Sequence, residues 1–170
     1  WGDLSLTDEL KDHLSKSVKE WPGILRCLTE NSFQFKPPIS FFGNFIVEEK
    51  GKHKGSFDIK KALLPIIDFA RIYSLKEGIF ATNTLTRLFR LYTKHSLTSK
   101  QYLNLIRSYN HMMGLRFLRQ ITTIMDEGQE PDNYINPANF SSIDQAMLKE
   151  IFKIIEKLQQ KLKVEFIGAS

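Results

Sequence analysis

The chain has 170 residues, 42% of them hydrophobic and 12% aromatic, which is enough apolar material for a real core and excludes a disordered chain. Lys and Arg number 24 against 19 Asp and Glu, a formal charge of +5 that is mild for an obligate nucleic-acid binder. The longest unbroken apolar run, Ala62 to Ile67, contains Pro65 and falls far short of the roughly 20 residues of a membrane-spanning helix.

The single Cys27 excludes an intrachain disulfide and a CxxC motif, which points to a reducing, cytoplasmic compartment. His13, His53, His95 and His111 match no zinc-ligand spacing. The sequence opens on Trp1 with no basic-then-apolar leader, so no signal peptide is expected and the chain reads as a piece of a longer protein.

Thr7 is positioned to cap a first helix with apolar positions Leu10, Leu14, Val18 and Trp21. Pro22 suits the first position of a second short helix carrying Ile24, Leu25 and Leu28, and Pro37-Pro38 forbids its continuation. From Phe41 to Lys60 the pattern predicts a β-hairpin, with Phe45, Ile46 and Val47 on one strand, Phe57 and Ile59 on the other, and turn glycines Gly51 and Gly55 between. Its tip, Lys50, Lys52, His53 and Lys54, is either a solvated lysine-rich turn or a small patch able to meet phosphate.

Four more helices follow. One runs from Ala62 to Lys76 and stops at Gly78; the next follows Thr82-Asn83-Thr84 to Lys94. A long one opens at the capping box Thr98-x-x-Gln101 and runs to Glu127. After a loop punctuated by Pro131 and Pro137, the last helix starts at Ser141 or Ser142 and reaches Lys163, with Met147, Leu148, Ile151, Ile154, Ile155, Leu158 and Leu162 as its apolar stripe. The pattern predicts a mainly α fold, an antiparallel helical bundle of about five to six helices with one inserted β-hairpin. Residues 1–40 form an N-terminal helical segment packing on the bundle of residues 41–170, within one domain overall.

Charges interrupt two of these helices. On the long helix, Tyr102, Leu105, Ile106, Tyr109, Met112, Met113, Phe117 and Ile124 build an apolar face with Arg116 and Gln120 in its middle. A buried guanidinium costs several kcal/mol unless paired, so Arg116 needs an internal carboxylate or a ligand. The Ala62 helix is apolar around nearly its whole circumference yet carries Asp68 and Arg71 together. Asp58 and Lys60 share a strand face just before it, and Thr84 and Arg87 open the next helix. Either these charges form an internal network that fixes helix register, or some line a cleft for an anionic or polar ligand. Asp132 and Asn133 belong either to a rigid loop or to a site at the end of the bundle.

The succession Phe42-Gly43-Asn44-Phe45, Asp58-Ile59-Lys60, Leu64-Pro65-Ile66-Ile67-Asp68-Phe69-Ala70-Arg71, Thr82-Asn83-Thr84-x-x-Arg87-Leu88, Arg116-x-x-x-Gln120, Pro131-Asp132-Asn133-Tyr134-Ile135-Asn136-Pro137 and Leu148-Lys149 resembles the nucleotidyltransferase substrate-binding domain family. This is the C-terminal domain of bacterial signalling proteins that carry a nucleotidyltransferase domain and often CBS and cyclic-nucleotide-binding domains. The resemblance implies a non-catalytic helical domain packing against an N-terminal nucleotidyltransferase domain of the same protein, related to the uridylyltransferase of the PII signalling protein. It also implies that the domain helps hold the acceptor substrate.

The chain itself is expected to need no cofactor. Mg²⁺ and a nucleoside triphosphate are implied for the catalytic domain, which requires a Gly-Ser turn and carboxylates spaced by one residue on a strand. Here the only Gly-Ser is Gly55-Ser56, there is no Asp-x-Asp, and Glu130-Pro131-Asp132 lies in a loop. A purely structural or regulatory helical module is the alternative function, and homodimerisation is left open. No helix has the concentrated basic face of a nucleic-acid binder, and no Ser or Cys sits beside a His in a hydrolase signature.

Overall fold

The computed structural model describes residues 4–21, 23–126 and 128–168. Among these, the elements run α1 (Leu4–Glu20), α2 (Gly23–Ser32), β1 (Phe57–Asp58), α3 (Ile59–Lys76), α4 (Thr84–Thr93), α5 (Ser99–Met125), β2 (Tyr134–Ile135), a 3-10 turn (Pro137–Asn139) and α6 (Ser142–Phe166). The fold is mainly helical, as the hydrophobic periodicity requires, with one two-stranded antiparallel sheet.

α3 is the central helix because it is apolar around nearly its whole circumference, and it packs against α2, α4, α5 and α6. Ile59, Ile66, Phe69 and Ala70 on it are completely buried, as are Leu88 of α4, Met112 of α5 and Phe152 of α6. Its C-terminus is closed by Gly78 in the left-handed conformation at φ +66°, so that the Ile79 N–H donates to the Ser74 carbonyl at 2.7 Å. Asn83 caps α4, and Thr98 and Gln101 cap α5 reciprocally, as their spacing predicts.

The strand pairing differs from the expected hairpin. β1 pairs with β2, in the register Phe57↔Ile135 and Asp58↔Tyr134, rather than with residues 45–47. The segment between closes on itself at its neck, where the Gly55 N–H donates to the Glu48 carbonyl and the Glu48 N–H to the Ser56 carbonyl, each at 2.8 Å, and turns at its tip, where the Ser56 N–H donates to the His53 carbonyl at 3.0 Å. Phe45 forms an isolated bridge with Ile39 and stacks on Phe57 with ring centres 6.1 Å apart, while Phe152 meets Phe57 edge-on at 5.6 Å. Phe57 is buried and Phe45 half-buried, whereas Ile46 is exposed and the backbone partner of β1 comes from far along the chain.

Other corrections are local. Lys60 does not share a strand face with Asp58. It stands exposed in the first turn of α3, and Asp58 is that helix's N-cap, accepting from the Lys61 N–H at 3.1 Å. α1 begins before Thr7, which therefore does not cap it; of its apolar stripe Val18 is buried, but Leu10 and Trp21 are each 59% exposed. Phe117 and Ile124, placed on the buried face of α5 by periodicity, are both about half exposed. The expectations for Trp1, for Pro22 as a helix start and for Glu127 as a helix end lie outside the described residues. No helix among the described residues is long and apolar enough to cross a membrane.

Candidate functional site

The loop before β2 meets the C-terminal half of α5 through consecutive side chains. Asp132 Oδ1 accepts from the Tyr134 N–H at 2.9 Å, an Asx turn that fixes the loop locally. The Asn133 carbonyl accepts from the Ile59 N–H at 2.9 Å, tying the loop to the start of α3. With the backbone held on both sides, the two side chains reach α5. Arg119 donates from Nε to Asp132 Oδ1 at 2.8 Å and from Nη2 to Oδ2 at 2.7 Å, a bidentate pair. Asn133 Oδ1 accepts from Arg116 Nε at 2.8 Å and from Gln120 Nε2 at 3.2 Å.

Within the chain the partner of Arg116 is thus an amide oxygen rather than a carboxylate. Asp132 is the group whose acidity is most altered here. Hydrogen bonds from Arg119 hold its carboxyl down to about 2 against the opposing effect of burial, and the Tyr134 N–H adds to the effect.

Beside this network lies a cleft of about 380 Å³, within the size range of small-molecule sites. One wall is α5, through Leu115, Leu118, Arg119 and Thr122; the other combines Lys52, His53 and Ser56 with residues of the β2 segment, among them Tyr134, Asn136 and Asn139. The His53 ring lies flat on the Tyr134 ring with centres 3.6 Å apart, which pins the tip of the 45–56 segment over β2. Gly55 is required at the same junction. It has φ +79°, and a Cβ there would stand 3.2 Å from Asn136 Nδ2. Lys52, the Arg119 guanidinium paired with Asp132, three hydroxyls, two carboxamides and an apolar wall suit a polar ligand that carries negative charge.

The remaining sequence candidates lie elsewhere. Asp68 and Arg71 pair at 3.2 Å on α3, with Arg71 reaching solvent. Arg87 Nε donates to the Ala81 carbonyl at 2.6 Å. Burial raises the Asp68 carboxyl above its ordinary value with Arg71 opposing, and burial together with the Arg71 charge lowers Arg87. This second group lies on α3 and α4, whereas Arg116, Arg119 and Gln120 meet Asp132 and Asn133 between α5 and the loop before β2, so the charges divide into two clusters. Thr84 is buried at the start of α4.

Among the described residues, the groups that come nearest in sequence to a spaced carboxylate pair and a Gly-Ser turn are already occupied. Asp132 is engaged on both carboxylate oxygens by Arg119, and the amides of Gly55 and Ser56 are spent on the Glu48 and His53 carbonyls. No metal-binding group of three or more His, Cys, Asp or Glu occurs among the described residues.

Arg119 is the principal member of the site that periodicity passes over. It lies off the apolar face of α5 and so reads as a solvated charge, although its place one turn from Arg116 and its match to an acidic loop are visible signals. Leu118, Thr122 and Asn139 carry no such signal. No match to the chain was found among the curated proteins or the solved structures. Residues 22–166, from α2 to the end of α6, match the family model described as "Putative nucleotidyltransferase substrate binding domain", and the chain belongs to that family.

Proposed function

We propose that this chain is the non-catalytic accessory domain of a bacterial signal-transduction nucleotidyltransferase, related to the PII uridylyltransferase. In this reading it packs against the N-terminal catalytic domain and lends its cleft to the acceptor substrate. Continuity along α5 supports the reading most directly. Leu118, Arg119 and Thr122 line the cleft, while Phe117, Ile121, Ile124 and Met125 on the adjoining face are all more than half exposed. A catalytic domain that covered this apolar stripe would also form the missing wall of the cleft. Lys52 and Arg119 then face the acceptor, and the Mg²⁺ and nucleoside triphosphate are held by the other domain.

In the intact protein, Lys52→Ala and Ile121→Asp should each raise the KM for the acceptor by about tenfold or less while the domain stays folded, as expected for loss of a charged or apolar contact. The purified 170-residue chain should transfer no nucleotide, and transfer by it alone would overturn the proposal. A second reading, a structural or regulatory module, draws support from the engagement of Arg116 and Arg119 by loop residues. Under it, Arg116→Met and Lys52→Ala in the intact protein leave acceptor affinity unchanged.

A further inference from the structure

On the side of the bundle formed by the N-terminal end of α5 and the C-terminal half of α6, a separate hollow of about 260 Å³ opens over the core. Its floor is apolar, built from Phe69, Leu105 and Leu158, all of which are buried. Three lysines rim it, Lys100 from α5 and Lys157 and Lys161 from α6, and no carboxylate lines it among the described residues. Two carboxylates outside the lining act on it electrostatically, Glu165 with Lys161 and Glu150 with Lys157, while Glu165 also accepts from Lys76 and Tyr73 and Glu150 pairs with Lys153.

Three lysines in the lining and no carboxylate among the described lining residues leave the concavity locally positive, which favours an anion there. Lys161 is also held at the rim. Its Nζ lies 4.7 Å from the centre of the Tyr73 ring and 5.9 Å from that of Phe69. Apolar floor and cationic rim together define a ligand with two ends. We propose that this hollow binds a small amphiphilic anion, a carboxylate or phosphate on a short apolar body, at a site separate from the α5–β2 cleft. The volume is just below that of drug-sized sites, so the apolar body is short.

Lysines can also simply lay their stems over apolar surface with the charge in water, which would produce the same rim without a ligand. Titration of the 170-residue chain with octanoate, followed by NMR, separates the two. Binding should be saturable, shift the methyl signals of Leu105 and Leu158 and leave Tyr134 unmoved. Octan-1-ol, which has the same apolar body and no charge, should bind at least about tenfold more weakly, as should octanoate to Lys157→Gln/Lys161→Gln, which should still unfold in one cooperative transition. Lys100→Gln, on the other helix, should weaken octanoate by about threefold and guards against a fold effect in α6. Failure to saturate, equal binding of the alcohol, indifference to the lysine changes, or shifts confined to the Tyr134 cleft would each overturn the proposal.

Discussion

Arg119 grips Asp132 on both carboxylate oxygens, across the turn that separates α5 from β2. Both side chains are mostly shielded, at 24% and 16% exposure, so the pair is neither a solvated surface bridge nor a sealed one. Its consequence is a pH dependence of stability. The Asp132 carboxyl is held at about 2 in the folded chain against an ordinary 3.8, so the unfolded state takes up the proton first as pH falls. Stabilisation from this group is complete above the ordinary value and is lost as pH drops through 3.8 toward about 2. After allowance for solvent screening it amounts to about 1–2 kcal/mol. Urea unfolding across this range should show Asp132→Asn less stable than the parent at neutral pH and the difference closing in acid.

Asn133 serves two helices, through its carbonyl to Ile59 and its side chain to Arg116 and Gln120. Asn133→Ala keeps the first contact and removes the second, leaving a half-buried guanidinium without its amide acceptor. The cost should be about 1–3 kcal/mol, and a double-mutant cycle with Arg116→Met should recover part of it, because the methionine no longer needs the acceptor. Strict additivity in denaturant titrations would show that the two side chains do not act as a pair.

Gly78 ends α3 in the left-handed region, with nothing within 4 Å of where a Cβ would be. The penalty of Gly78→Ala is therefore conformational rather than steric, about 1–2 kcal/mol. Thermal unfolding should show that loss. Gly114, inside α5 with the same open surroundings, should gain up to about 1 kcal/mol on the same substitution, because it is paying helix entropy without needing the freedom.

The contrast between α3 and β1 explains which features the sequence makes legible. Helix signals are local: the Thr98–Gln101 box, Asn83 and Gly78 each act within a few residues, and each cap or stop is found where its spacing places it. β1 has its partner in Tyr134–Ile135, beyond α5, and no local pattern can name a partner at that distance. The same distance divides the site. Arg116 and Gln120 are visible because they interrupt an apolar face, and Asp132 and Asn133 because they sit in a proline-punctuated loop. Arg119 and Thr122 become part of a site only once the loop folds back onto α5. Phe117 and Ile124 show the reverse error, since periodicity reports an apolar face without saying whether this chain or another covers it.

Phenylalanines on the two kinds of surface should respond differently to truncation. Phe152 is completely buried, with the Phe45 and Phe57 rings against it, so Phe152→Ala removes a ring from packed surroundings and should cost about 3–5 kcal/mol. Phe42 is 86% exposed and touches chiefly the ring of Phe41, itself 98% exposed, at 5.5 Å. Its replacement by alanine removes almost no buried area and should change stability by less than about 0.5 kcal/mol. Comparison of the two variants by chemical denaturation, with equal slopes required before the midpoints are compared, tests the assignment of the aromatic core. A large loss for Phe42→Ala would mean that the 41–42 turn contributes to the fold, and a small one for Phe152→Ala that the α6 core yields around the cavity.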